Sequence, residues 1–260
     1  MRIKLFIEQQ KPEQIIPINY QYAISSFIYK TIAYGNSDYS KWLHDVGFIK
    51  NNKQFKFFNF SPLYIPKYEI HSDRIKILSN KIELIFSTIT IQSVETFVIG
   101  LFQKQKFFIK DNTSDAFFAV KYAEQIPEPV FSEYNKFRCL SPMVVSIKTE
   151  HNGKPSEKYL SPEDDKFKET LIKNIEEKYL AYCLNFGYRV SAKSIESIDI
   201  NSKAKSQLIT VKQDRPDQTR VKGFKFDFTI KGNNDMIKLC YETGFGKLCS
   251  VGFGFVNKIN

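Results

Sequence analysis

Three histidines, His44, His71 and His151, are the only side chains of this chain that ordinarily exchange a proton near neutral pH. His71 lies in the alternating run Glu69-Ile-His-Ser-Asp-Arg-Ile75, which reads as a strand face, and His151 lies in Glu150-His-Asn-Gly-Lys154, which reads as an exposed turn. His44 sits beside Trp42 at the end of a short helical stretch. There an imidazole serves either as a general acid or base or as a structural partner of its neighbours, and the residue alone leaves both open. Cys139, Cys183, Cys240 and Cys249 form no C-x-x-C pair and have no histidine at metal-ligand spacing. They read as small core residues in a reducing compartment, and no metal site is expected.

Glycine and positive charge form the second concentration of chemistry. The segment Tyr241-Glu-Thr-Gly-Phe-Gly-Lys-Leu-Cys-Ser-Val-Gly-Phe-Gly-Phe-Val256 holds Gly244, Gly246, Gly252 and Gly254, four of eleven glycines, around Lys247 and Ser250. Such a loop suits close approach to phosphate, with a tight structural turn as the plain alternative. It is not a P-loop: Leu248 follows Gly246-Lys247, and a helical pattern precedes it. Gly252-Phe-Gly-Phe-Val256 nearly matches the RNA-recognition signature, but Val251 replaces the basic residue and only Asn257 to Asn260 follow. Residues 201 to 225 carry Lys203, Lys205, Lys212, Arg215, Arg220, Lys222 and Lys225 against Asp214 and Asp217, as a basic strip or a merely solvated hairpin. With a net charge of +10, a polyanionic partner is expected over a small acidic molecule.

These groups must be positioned by regular elements, and 42% apolar content with 24 Phe supports one large core or two compact ones. Arg2 to Glu8 reads as a strand. Gln21 to Ala33 reads as a helix entered through Asn19 as cap, with Ile24, Phe27, Ile28, Thr31 and Ile32 on one face. Ser37 to Val46 is expected to be a Ser-capped helix ending near Gly47. Strands follow over Phe55 to Phe60, Glu69 to Leu78 and Lys81 to Ile89, a helix over Thr90 to Phe102, and strands over Lys106 to Lys110 and Ala116 to Tyr122. After the stiff Ile126-Pro-Glu-Pro129 break the order returns. Leu140 to Thr149 reads as a strand, Asn152-Gly153 as a turn and Pro162 to Leu184 as a helix. Strands are expected at Arg189 to Ile200, Ser206 to Lys212 and Gly223 to Ile230, then an Asn-capped helix from Asn233 to Tyr241 and a last strand from Phe253 to Val256. The fold class is α+β: two tandem ferredoxin-like (RRM-like) βαββαβ domains, 1–128 and 129–260. No 18-residue apolar run or signal peptide is read, so a soluble, cytoplasmic protein is expected.

The ordered set formed by the Pro17 to Tyr29 entry helix, Leu43-His44-Asp45, Phe58-Asn-Phe-Ser61-Pro-Leu, Leu140-Ser-Pro142 and Gly244-x-Gly246-x-x-x-x-x-Gly252-x-Gly254 resembles a known family. It is similar to the CRISPR-associated endoribonucleases of the RAMP superfamily, which cut repeat RNA out of a precursor transcript. The resemblance implies a catalytic pocket holding Tyr29, His44 and a lysine, at Lys56 by the family pattern, with Lys53 second and Lys50 in the same loop. His44 would move the protons, Tyr29 would orient by hydrogen bonding, and the lysine would meet phosphorane charge. Cleavage would be metal-independent, without cofactor, through 2′-hydroxyl attack to a 2′,3′-cyclic phosphate. RNA contacts are expected at Lys53, Arg220, Lys222, Lys225, Gly244, Gly246, Lys247, Ser250, Gly252 and Gly254. The implied partner is CRISPR repeat RNA; other CRISPR effector subunits are also compatible, and monomer and homodimer stay open. Two other classes remain: a non-catalytic repeat-binding subunit of the same lineage, and a ferredoxin-like metabolic or regulatory pair.

Overall fold

The alternating N-terminal residues form β1 (Arg2–Gln9), with Ile3, Leu5 and Ile7 buried. A short β2 (Ile15–Pro17) leads into α1 (Gln21–Gly35), which buries the expected stripe of Ile24, Phe27, Ile28, Thr31 and Ile32. Asn19 does not cap it. Tyr20 takes the N-cap position, and Asn19 instead bonds to Gln213 and the Thr210 amide of the second half. α2 (Ser37–Asp45) is capped by Asn36, not Ser37: Asn36 Oδ1 accepts from the Tyr39 N–H at 2.9 Å.

The hairpin of β3 (Phe48–Lys50) and β4 (Lys53–Phe55) precedes β5 (Phe58–Phe60), so the expected run from Phe55 to Phe60 is broken. The break falls at Phe57, whose φ of 49° no extended strand accommodates. Its ring is held among Phe48, Phe55, Tyr182 and Phe186, and Thr88 Oγ1 donates to its carbonyl at 2.8 Å. β6 (Tyr68–His71) and β7 (Arg74–Ile77) form a hairpin where one strand was expected. Then come β8 (Lys81–Thr88), α3 (Ile91–Gln103), β9 (Lys106–Lys110) and β10 (Asp115–Ile126). The sheet order β5-β8-β1-β10-β9 is the ferredoxin-like arrangement of four strands, with β9 added at one edge.

The second half opens with β11 (Tyr134–Cys139), not with a strand from Leu140 to Thr149. β12 (Ser146–His151) leaves the main sheet to pair with β13 (Lys154–Tyr159). Between β11 and β12 the chain makes single bridges, Met143 to Phe224 and Val144 to Gly246. α4 (Lys166–Phe186), β14 (Ile195–Ile200), the hairpin β15 (Lys205–Val211) and β16 (Thr219–Lys225), β17 (Asp227–Gly232) and α5 (Asn234–Thr243) follow. Asn233 caps α5 as expected. A 3-10 turn at Cys249–Val251 precedes β18 (Val256–Ile259), which starts later than expected because Gly252 and Gly254 hold positive φ. The order β14-β17-β11-β18 repeats that of the first half, so the chain is two tandem ferredoxin-like units.

This computed structural model describes residues 1–151 and 153–259; Asn152 of the expected turn lies outside the described residues, as does the His151 side chain. The apolar core runs continuously through both halves, and Cys139, Cys183 and Cys240 are buried in it. Arg2, 3% exposed, joins the halves: its guanidinium donates to the Tyr241 and Val256 carbonyls at 2.6 and 2.8 Å and lies 3.4 Å from the Tyr241 ring centroid. Burial pushes its pKa down to about 10. Among the described residues, no helix is long and apolar enough to cross a membrane.

Candidate active site

α1 and α2 bring Tyr29 and His44 together, with ring centroids 5.1 Å apart and edge to face. Two bonds fix this meeting. Ser40 Oγ donates to the carbonyl of Tyr29 itself at 2.8 Å, tying α2 to α1 at the point of interest, and the Tyr39 hydroxyl lies 2.6 Å from Ser93 Oγ on α3. Tyr29 also packs edge-on against Phe58 of β5, 5.2 Å between centroids. The His44 side chain is 66% exposed, with Nδ1 2.8 Å from Asp45 Oδ1. A carboxylate at one ring nitrogen orients the imidazole and leaves Nε2 for another partner.

Lys56 follows β4 directly, and the reversed backbone at Phe57 turns the chain there. Its ammonium reaches back 2.6 Å to the His44 carbonyl, at the C-terminal end of α2 where cations are favoured. Burial lowers the Lys56 pKa, and the Asp45 carboxylate opposes that shift. Asp45 is itself held below the usual carboxylate range, first by its hydrogen bond with His44. Burial raises the Tyr29 phenol well above its ordinary pKa, against a smaller opposing effect of the Ser250 hydroxyl. The cluster thus offers an exposed imidazole, a cation and a phenol that keeps its proton, the set needed to move a proton beside developing negative charge.

Ser250 comes from the second half. The 3-10 turn that carries it packs on α1, where Ser25 Oγ donates to the Ser250 carbonyl at 2.8 Å. On either side, the glycines are buried and their neighbours are protein. A Cβ on Gly254 would come within 1.9 Å of the Phe245 carbonyl oxygen, on Gly244 within 2.2 Å of Asn59 Nδ2, on Gly246 within 2.4 Å of the Val144 carbonyl oxygen, and on Gly252 within 2.6 Å of the Phe60 ring. The demand for glycine therefore comes from the chain's own packing, at positive φ in all four cases. Asn59, fully buried on β5, completes the joint by donating to the Phe253 carbonyl at 3.0 Å.

The other expected contacts are dispersed. Lys53 pairs with Glu177 of α4, and Lys50 lies half-buried on β3. Lys247 pairs with Glu157 at 2.7 Å. Arg220 and Lys222 are exposed along β16, while Lys225 is half-buried in a cleft between the halves that Phe60, Ser61, Pro142 and Gly252 also line. Sequence reasoning missed the roles of Asp45 and Lys178. Asp45 stood in the Leu43-His44-Asp45 segment, a carboxylate next to the one candidate imidazole, which was the available signal. Lys178 reads as another polar residue of a long helix, yet it is 4% exposed and donates to the Gly244 carbonyl, 3.7 Å from Cys249 Sγ.

Comparison with known proteins finds matches over nearly the whole chain. Residues 15–122 match the family model described as CRISPR-associated protein Cas6, N-terminal, and residues 126–258 match that described as CRISPR associated protein Cas6, C-terminal. A CRISPR-associated endoribonuclease, Cas6 1 of Methanocaldococcus jannaschii, is 32% identical over 98% of this chain and 92% of its own length. The solved structure of a Cas6-related protein from Pyrococcus furiosus superposes with a TM-score of 0.84 at 27% identity, covering 100% of this chain and 98% of that one. A structure described as a RAMP protein binding different RNA substrates gives 0.83 at 25% identity, covering all of both chains. With both of its halves matched and a relative at this identity over nearly its full length, the chain belongs to the Cas6 family of CRISPR-associated endoribonucleases.

Proposed function

We propose that this protein cuts CRISPR repeat RNA within the precursor transcript, without a metal ion, by attack of a ribose 2′-hydroxyl on the adjacent phosphodiester. The observation that carries the reading is the contact of Tyr29 with His44 over a Lys56 ammonium anchored at the His44 carbonyl. In the reaction the 2′-oxygen loses its proton and bonds to phosphorus, and the 5′-oxygen leaves with a proton, giving a 2′,3′-cyclic phosphate and a 5′-hydroxyl. His44 carries the protons through Nε2, since Asp45 engages Nδ1. Lys56 faces the phosphorane oxygens, and Tyr29, its pKa raised by burial, donates a hydrogen bond and is not the base. The first half, residues 1–128, supplies the chemistry; the second, residues 129–260, holds the RNA backbone through Lys247, Ser250, Arg220, Lys222 and Lys225.

Repeat RNA incubated with the protein in excess EDTA should be cut once, and mass spectrometry should find the upstream fragment one water lighter than the linear phosphate. Cleavage restored only by added divalent ions would remove the metal-independent mechanism. A second reading, a repeat-binding subunit without catalysis, is favoured by one observation: Lys56 is engaged as a helix-end cation. Tight binding of uncut RNA would select it.

A further inference from the structure

A groove of about 620 Å³ opens between α1, β9 and the tip of the β15–β16 hairpin. Ser26 and Ala33, one helical turn before and after Tyr29, line it while Tyr29, His44 and Lys56 do not, so the groove runs along α1 to one side of the candidate cutting site. Three rings in it are left partly open: Tyr22 is half-buried, and Tyr34 and Phe108 are 40% and 49% exposed. Each ring carries a cation. Lys30 Nζ lies 5.2 Å from the Phe108 centroid, Lys104 Nζ 4.9 Å from that of Tyr34, and the Arg215 guanidinium 5.1 Å from that of Tyr22.

The hairpin forms the far wall because Asn19 holds it there. Asn19 Nδ2 donates to Gln213 Oε1 at 3.2 Å, and the Thr210 N–H donates to Asn19 Oδ1 at 3.4 Å. Two acids also line the groove. Asp111 is already paired with Arg74, and Asp214 sits at the exposed hairpin tip, so the wall facing the rings stays cationic.

A partly open ring with a cation held over it offers ring surface for a base and a charge for the neighbouring phosphate, which is how unpaired nucleotides are held. A duplex would meet the cations with its phosphates and leave the rings unused. We propose that this groove is a subsite for unpaired nucleotides on one side of the scissile phosphate, with a base on Phe108 or Tyr22 and phosphates on Lys30 and Arg215. The subsite rests on the ribonuclease reading above.

The test uses the full-length protein and repeat RNA blocked by a 2′-deoxy sugar at the cut, either intact or trimmed on one side or the other. Phe108→Ala with Tyr22→Ala should weaken binding of intact RNA on the order of 10- to 100-fold, the stacking of one or two bases. Phe108→Leu with Tyr22→Leu keeps the apolar volume and should show a similar loss. Lys30→Gln with Arg215→Gln should lower the salt slope by about 1.4, the value for two single-strand phosphates. On one trimmed RNA the loss should vanish, and on the other it should persist. Equal loss on all three RNAs, or wild-type binding by the folded ring variants, overturns the subsite. If the wild-type protein cuts repeat RNA and the ring variants lose nothing, the subsite alone fails; if the wild-type protein neither binds nor cuts, the ribonuclease reading fails before it.

Discussion

The two halves thread the same strand order but place their insertions differently. In the first, the insertion between α1 and β5 builds the candidate site: α2 brings His44 to Tyr29, and the β3–β4 hairpin delivers Lys56. In the second, the insertions are the β12–β13 and β15–β16 hairpins, and the loop after α5 becomes a wedge against α1 and β5. The first half thus exposes an imidazole, while the second buries the four glycines of its last loop, which packs against α1 and β5. One scaffold carries both tasks because function resides in what is grafted onto it.

The largest effect is expected at the wedge. Gly254→Ala forces a Cβ against the Phe245 carbonyl at positive φ and should cost about 3 kcal/mol or more of stability, read as the urea midpoint. A variant as stable as wild type would mean the segment is not the brace described. Lys56→Ala should slow single-turnover cleavage about 100-fold while leaving the melting temperature near wild type. Because burial lowers the Lys56 pKa, its ammonium is lost as pH rises through a value below the ordinary 10.5, so the wild-type rate should fall on that alkaline side. Lys56→Arg should move that limb to higher pH; an unmoved limb would assign it elsewhere.

Tyr29→Phe keeps both ring contacts and removes only the hydroxyl beside Ser250. It should slow cleavage about tenfold and cost about 1 kcal/mol of stability, the worth of one hydrogen bond. A drop as deep as that of Lys56→Ala would make the phenol a proton carrier. The smallest effect is expected at Lys247→Ala, whose pairing with Glu157 is a surface ion pair worth under about 1 kcal/mol. Its trace should be a shallower salt dependence of RNA binding with no change in the rate at saturation.

Helix faces and the repeated strand order were legible because burial imprints a period, as in the Ile24 to Ile32 stripe of α1. Local breaks were not. Phe57 takes a left-handed backbone that only its aromatic neighbours from α4 and β3 explain, and no signal in Phe55 to Phe60 announces it. β11 escapes a periodicity reading because its inward residues, Asn135, Phe137 and Cys139, include a polar one, and Asn135 is satisfied partly by Asn234 and Lys258, far along the chain. Asn19 looked like a cap because caps are local; its partners lie in a hairpin far along the chain. The glycine segment was visible as a motif, but its neighbours were not: Asn59, Phe60 and Val144 belong to other elements, so a loop that suggested a ligand's approach is filled by the protein. Tyr29, His44 and Lys56 emerged from the ordered resemblance, and their mutual contacts from the structure alone.

The division of labour stands or falls on His44. Single-turnover cleavage of repeat RNA by His44→Ala, in EDTA and at protein concentrations that saturate the RNA, isolates the imidazole from binding. The expected result is a rate reduced on the order of 1,000-fold with an unchanged dissociation constant. Cleavage at the wild-type rate would contradict the account and place the chemistry outside the Tyr29–His44–Lys56 cluster.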